Sequence, residues 1–288
     1  MKKPDHSETP AITVRAGRLI RIVVLFCFSA ELLFVLLDAT INHGQWTEYG
    51  MIRRLCNIAR EDSLSSWFGT TQTVMVALTL WLIFIVARRD RLKKSVTTGW
   101  LVLACFFSYM AVDDGAEIHE RIGSAFKKAN SAEEVQASAE GLGARLLEFF
   151  PSYSWQIVFM PLFGAMGLFM LLFLWKQLKP KSARIVLVVA LSLLSVAVMM
   201  DFVEGLDEHH RWNTYSWIAS HVDLEEFTYA QFEQRPYDAL RHFSKSGEEF
   251  LEMLASTLLW GLFLSHLVLV AGEFKLRFTD LPPARPEL

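Results

Sequence analysis

Carboxylates and histidines gather at the ends of several apolar runs in this sequence, at spacings able to hold a cation or relay a proton. The densest group is Asp113-Asp114-Gly115-Ala116-Glu117-Ile118-His119-Glu120. At about 100° per residue, Asp113, Glu117 and Glu120 share one face of a straight helix, while His119 points elsewhere. A second group, Asp201, Glu204 and Glu208, also shares a face and runs into His209 and His210, with Gly205 expected to loosen the turn. A third group, Glu248, Glu249 and Glu252, opens a later apolar run, with Glu249, Glu252 and Ser256 in one stripe. Near the start, Cys27, Glu31, Asp38 and Asn42 line a single face.

So many carboxylates cannot all ionise side by side without compensation. Basic side chains nearby are few: Arg121, Arg211, Arg241 and Lys245. A divalent metal ion (Zn, Fe or Mn) would resolve the conflict, because carboxylates and imidazoles on facing helices are the ligands such ions take. The expected ligand set is Asp113, Glu117, His119, Glu120, Asp201, Glu204, His209, Glu249 and Glu252. The di-iron pattern is incomplete, since the sequence has no Glu-x-x-His and no span carries His-x-x-x-His. Gly-x-Ser-x-Gly, a glycine-rich phosphate loop and Cys-x-x-Cys-His are also missing, which removes the serine hydrolase, nucleotide and c-type haem classes.

The elements that must position these groups are membrane helices. Hydrophobic residues make up 52% of the 288, with 22 Phe, more than a water-facing surface tolerates. They fall into runs at about 19–41, 67–87, 96–119, 153–175, 184–206 and 250–272, each near the ~20 residues that cross a hydrocarbon layer of about 30 Å. The expected fold is an all-α polytopic bundle of six transmembrane helices over 19–272, between tails 1–18 and 273–288.

Arg15, Arg18 and Arg21 precede the first run, Arg88 to Lys94 follow the second, Lys176 to Arg184 follow the fourth, and Lys275 and Arg277 follow the sixth. Of the 31 acidic residues, only Asp5, Glu8, Asp90, Glu273, Asp280 and Glu287 fall on that side. The positive-inside rule then predicts cytoplasmic termini, with the acid-rich ends facing outward. Glu31 would lie near mid-membrane, about 15 Å above Arg21. A charge there is expensive, so Glu31 should face the bundle interior, and with Asp38 it could form an intramembrane relay.

The longer loops are expected to fold over the acidic ends as amphipathic helices. One is signalled by Met51, Ile52, Leu55 and Ile58, another by the capping-box pair Ser131 and Glu134 followed by Val135, Leu142, Leu146 and Phe149. Gly164 and Gly167 are expected to admit close helix packing. Cys27, Cys56 and Cys105 are too few and too scattered for a disulfide framework or a zinc ribbon. The first apolar run carries Glu31 and Asp38 and lacks a small-residue cleavage site, unlike a cleaved signal peptide. A net charge of −3 argues against nucleic acid as a partner.

The acidic run ending Ile-His-Glu at Glu120, and the Glu-Glu-x-x-Glu at Glu248–Glu252, resemble segments of uncharacterised bacterial polytopic inner-membrane proteins. That resemblance implies no activity, only that the two segments belong together. Three readings of function follow from the residues. The leading one is a metal-dependent membrane enzyme acting on a lipid or small amphiphile. The others are a cation- or proton-coupled transporter using Glu31 as relay, and a non-catalytic subunit of a membrane complex. Expected partners are membrane lipid and either a second copy of the chain or another membrane protein.

Overall fold

The computed structural model describes residues 15–130 and 142–272, and among these every regular element is a helix. Helix α1 (Ala16–Leu37) passes into a π-helical turn, Asp38–His43, and a short α2 (Gly50–Cys56). Then come α3 (Leu64–Arg89), α4 (Lys94–Ala116), α5 (Ile118–Asn130) and α6 (Leu142–Phe149). The remaining elements are α7 (Ser154–Gln177), α8 (Lys181–Glu204), α9 (Thr214–His221), α10 (Glu225–Phe232) and α11 (Pro236–Ala271). Six of these, α1 with its π turn, α3, α4, α7, α8 and α11, are long and apolar enough to cross a membrane. The chain is an integral membrane protein built as a helical bundle.

Local chemistry sets several boundaries. Ser63 Oγ accepts from the Ser66 N–H and starts α3, and the Asn213 side chain accepts from Tyr215 and Ser216 N–H to start α9. Pro236 opens α11, where a missing N–H leaves no intrahelical bond unmade. That start lies a full 14 residues before the apolar run expected from about 250. The stretch from Pro236 to Glu249 is polar, yet Ala239 and Ser246 are buried and tie it to the bundle.

Helix α11 is central, packing on α1, α3 and α8, while α3 pairs most closely with α4. One half of the bundle, toward the basic loops, is filled by a continuous apolar core. Leu80 and Ile83 of α3, Trp100 and Leu103 of α4, Leu174 of α7, Leu187 of α8 and Phe263 of α11 are at most 1% exposed. Trp100 packs edge-on to Phe173 and Phe263. Most buried polar groups collect in the other half, the acidic end, although His266 stacks on Trp100 within the apolar half at 4.8 Å.

The loop helices α2 and α6 lie where amphipathic segments were expected, whereas Ser131, Glu134 and Val135 lie outside the described residues, as do 1–14 and 273–288. Gly164 and Gly167 have nothing within 4 Å of an added Cβ, so neither sits at a close helix approach. Gly123 does: a Cβ there would stand 2.5 Å from the Trp155 backbone nitrogen, and Ser154 Oγ donates to the Gly123 carbonyl at 2.7 Å. That contact clamps α5 onto the start of α7.

Candidate functional site

The acidic end is organised first by a break in the chain after α4. Glu117 adopts a left-handed conformation (φ 51°, ψ 39°), which ends α4 and redirects the backbone into α5. The chain doubles back, so the buried Asp113 carboxylate accepts from the His119 backbone N–H at 2.8 Å and contacts His119 Nδ1 at 2.7 Å. Against an ionised carboxylate, which only accepts, Nδ1 would carry the proton and leave Nε2 for a second proton or a metal. The imidazole is fixed by Trp155, edge-on at 4.8 Å. The straight-helix expectation is corrected here: His119 joins Asp113, and Glu117 turns to Arg121 at 3.4 Å.

A second cluster surrounds Lys245 on α11. Its ammonium lies 2.8 Å from Glu248, 3.5 Å from Glu249 and 3.9 Å from both Asp201 and Glu204. Arg241, one turn earlier, reaches Glu204 at 3.3 Å, and Tyr153 OH donates to the same carboxylate oxygen. Gln156 of α7, fully buried, donates through Nε2 to Asp201 at 2.7 Å. Asp201, Glu204 and Glu248 each offer an oxygen within 4.8 Å of the others, a spacing that a metal ion could bridge. Glu204 Oε2, Glu248 Oε2 and Gln156 Oε1 are buried without a hydrogen-bond partner.

Glu249 and Glu252 join the two clusters. Glu252 is within electrostatic reach of Lys245, Asp114, Asp201 and His119, and Glu249 of Lys245, Glu252 and Asp114. Asp114 accepts from Thr73 Oγ1 of α3 at 2.7 Å. Glu61, in the loop before α3, opens to solvent but is ringed by protein atoms. Burial, reinforced by Glu249, Glu120 and Glu117, pushes its carboxyl up to about 7 against the pull of Lys245. Carboxylates from α4, α5, α8, α11 and a loop thus surround one cup, with Lys245 the most enclosed cation in it.

Two further carboxylates belong to the first span, Glu31 within α1 and Asp38 at the start of its π turn. Glu31 is fully buried: Oε1 accepts from Gln72 Nε2 at 2.8 Å and Thr257 Oγ1 at 2.6 Å, while Oε2 and Gln72 Oε1 have no partner. Gln72 is next to Thr73, so one turn of α3 touches both Glu31 and the cup. Asp38 accepts from Asn42 Nδ2 (2.8 Å), the Ile58 N–H (3.4 Å), His242 Nε2 (2.9 Å) and Ser246 Oγ (2.7 Å). His242 stacks flat on His43, with ring centroids 4.3 Å apart.

Of the residues expected from the sequence, Asp113, His119, Glu120, Asp201, Glu204, Glu249 and Glu252 meet around the cup, and Glu117 lies at its rim. His209 does not join them. Helix α8 ends at Glu204 with Gly205 as its cap, so the chain leaves the bundle and the His209 side chain is 92% exposed beside Asp207. For the same reason Glu208 leaves the Asp201 face and reaches Arg235 at 3.5 Å. Sequence reasoning missed Glu61, Gln72 and Gln156, and left Lys245 at the margin. The two glutamines carried a signal, a lone amide inside an apolar run; Glu61 carried none, because its neighbours come from distant segments.

A family model described as "Domain of unknown function (DUF8692)" matches residues 22–267, well over half of the chain and all of the residues around the cup. No curated protein and no solved structure matches it.

Proposed function

We propose that this chain, which belongs to the DUF8692 family, is a metal-dependent enzyme of the bacterial inner membrane, acting on a lipid or small amphiphile. Both termini would be cytoplasmic and the acidic cup would open outward, a placement supported by the Lys and Arg clusters at the opposite ends of the helices. The observation that carries the reading is the Asp113–His119 pair, in which a buried carboxylate orients an imidazole that interacts electrostatically with Glu252. His119, Glu252, Glu249 and Asp114, linked by their electrostatic interactions, would be the ligands of a Zn, Fe or Mn ion once their side chains close around it. Such an ion supplies Lewis acidity and an activated water. The chain's own part is to orient His119, to exchange protons through Glu61 at the rim, and to close the far side with the apolar core.

An amphiphilic substrate fits the surroundings. An apolar cleft of about 310 Å³ lined by Val196, Met199, Met200, Val203 and Tyr215 borders α8, with Met200 and Val203 next in sequence to Asp201 and Glu204. An alkyl chain in that cleft would bring its polar head to the acidic cluster. The test is metal analysis of the full chain purified in lipid nanodiscs. We expect ~1 equivalent of a transition metal, lost in His119→Ala and Glu252→Ala. Less than ~0.2 equivalents in the wild type after incubation with Zn, Fe and Mn would refute the reading.

A second reading, a proton- or cation-coupled carrier, is favoured by the unpartnered oxygens of Glu31 and Gln72 beside the cup. Flux into liposomes that is abolished by Glu31→Gln, with metal content retained, selects it over the enzyme.

A further inference from the structure

We propose that Asp201, Glu204 and Glu248 form a separate site for a hard divalent cation, Mg²⁺, Mn²⁺ or Ca²⁺, which Lys245 occupies with its ammonium group until the ion displaces it. This site shares the cup with the His119 centre but none of that centre's ligands, and it rests on the function proposed above only in requiring that the acidic end meet aqueous ions.

Three observations support it. The three carboxylates already present oxygens within 4.8 Å of one another, and oxygens bound to one such ion stand on the order of 3–5 Å apart, so little movement is needed. Lys245 fills the space incompletely: it hydrogen-bonds Glu248 Oε1 at 2.8 Å but stands 3.9 Å from Asp201 and Glu204, beyond hydrogen-bond range. Glu248, only 3% exposed, keeps Oε2 without a donor, and so do the buried Glu204 Oε2 and the amide oxygen of Gln156, whose nitrogen is fastened to Asp201.

An acceptor with no donor, buried among other acceptors, is satisfied by a cation better than by any side chain present. One ammonium also faces four carboxylates once Glu249 is included, leaving three negative charges uncompensated, whereas a doubly charged ion in its place leaves two. The all-oxygen ligand set selects hard ions, unlike the imidazole at His119. Lys245 has somewhere to go. It lines a cleft of about 470 Å³ together with Asp238, His242 and Arg241, and its flexible four-carbon stem can swing toward Asp238.

The experiment uses the full chain in nanodiscs, with Mn²⁺ as the probe. Lys245→Met is expected to bind Mn²⁺ at least tenfold more tightly than the wild type, and adding Glu248→Gln is expected to reverse the gain. In His119→Ala the Mn²⁺ site that responds to Lys245→Met is expected to keep its affinity while any Mn²⁺ held at the other centre is lost, which separates the two. In the wild type, where no substitution threatens folding, Mn²⁺ is expected to raise acylation of Lys245 by an amine reagent at least fivefold, read by peptide mass spectrometry. Unchanged Mn²⁺ affinity in a folded Lys245→Met chain, or unchanged Lys245 labelling under saturating Mn²⁺, overturns the proposal.

Discussion

Asp113 grips His119 twice, at its backbone N–H and at Nδ1, across the left-handed residue Glu117. The pair is therefore a consequence of the helix break. Replacing Asp113 with Asn keeps the size of the side chain but removes the obligate acceptor, so the His119 ring loses its fixed tautomer. We expect Asp113→Asn to weaken transition-metal retention by about 10–100-fold while helical content is unchanged. Circular dichroism beside metal analysis checks both halves, and undiminished metal in this variant would remove His119 from the centre.

Asp38 is the best-satisfied buried acid in the described chain, taking donors from Asn42, Ile58, His242 and Ser246. Asp38→Ala strands all four donors and separates the π-helical turn from α11. The expected loss is about 3–5 kcal/mol of unfolding free energy, since each donor left without its acceptor inside the protein costs about 1–3 kcal/mol. Denaturant unfolding in detergent measures it, and a loss below about 1 kcal/mol would mean that the seam relaxes around the gap.

Glu61 makes stability depend on pH in a definite direction. Its carboxyl has an ordinary value of 4.5, and burial with Glu249, Glu120 and Glu117 pushes it up to about 7 in the folded chain. Between those values the folded state holds the proton that the unfolded state has lost. The contribution is therefore fully present below about 4.5 and disappears as pH rises through about 7. Glu61→Gln should flatten the fall in melting temperature between about pH 5 and about pH 8. An identical slope in the two proteins would show that Glu61 is not enclosed by the cup.

Gly123 and Gly164 give opposite expectations for one substitution. At Gly123 an added methyl meets the Trp155 backbone at 2.5 Å, where nothing can swing aside. Gly123→Ala should cost about 1–3 kcal/mol and loosen α5 from α7. At Gly164 the methyl enters open space, so Gly164→Ala should stabilise the helix by up to about 1 kcal/mol. Thermal melts of the two variants in parallel decide it.

The spans were legible because length and apolarity are local properties, and a helix in lipid has to satisfy its own backbone. The identity of the acids in the cup was legible for a related reason: Asp113, Asp201 and Glu252 are costly wherever an apolar run places them. Their geometry was not. A wheel drawn for a straight helix puts His119 away from Asp113, and only the left-handed turn at Glu117 brings it back. His209 looked equivalent to His119 in sequence, but Gly205 releases the chain into water one turn too early. Lys245 stands among acids on α8 and α11, a pairing set by helices brought together from distant parts of the chain. Gln72 and Gln156 were the readable clues passed over, since an amide in an apolar run needs a partner across the bundle.

Helix α11 runs unbroken for 36 residues, about 54 Å, well beyond the thickness of a hydrocarbon layer. A single rod therefore carries His242 against Asp38, Lys245 among the carboxylates and Thr257 against Glu31. A tilt or slide imposed at its projecting end, by a captured molecule or an arriving ion, must be felt at every one of those stations together. A displacement at the acidic end of this rod would reach the buried Glu31 carboxyl through Thr257 with no intermediate element.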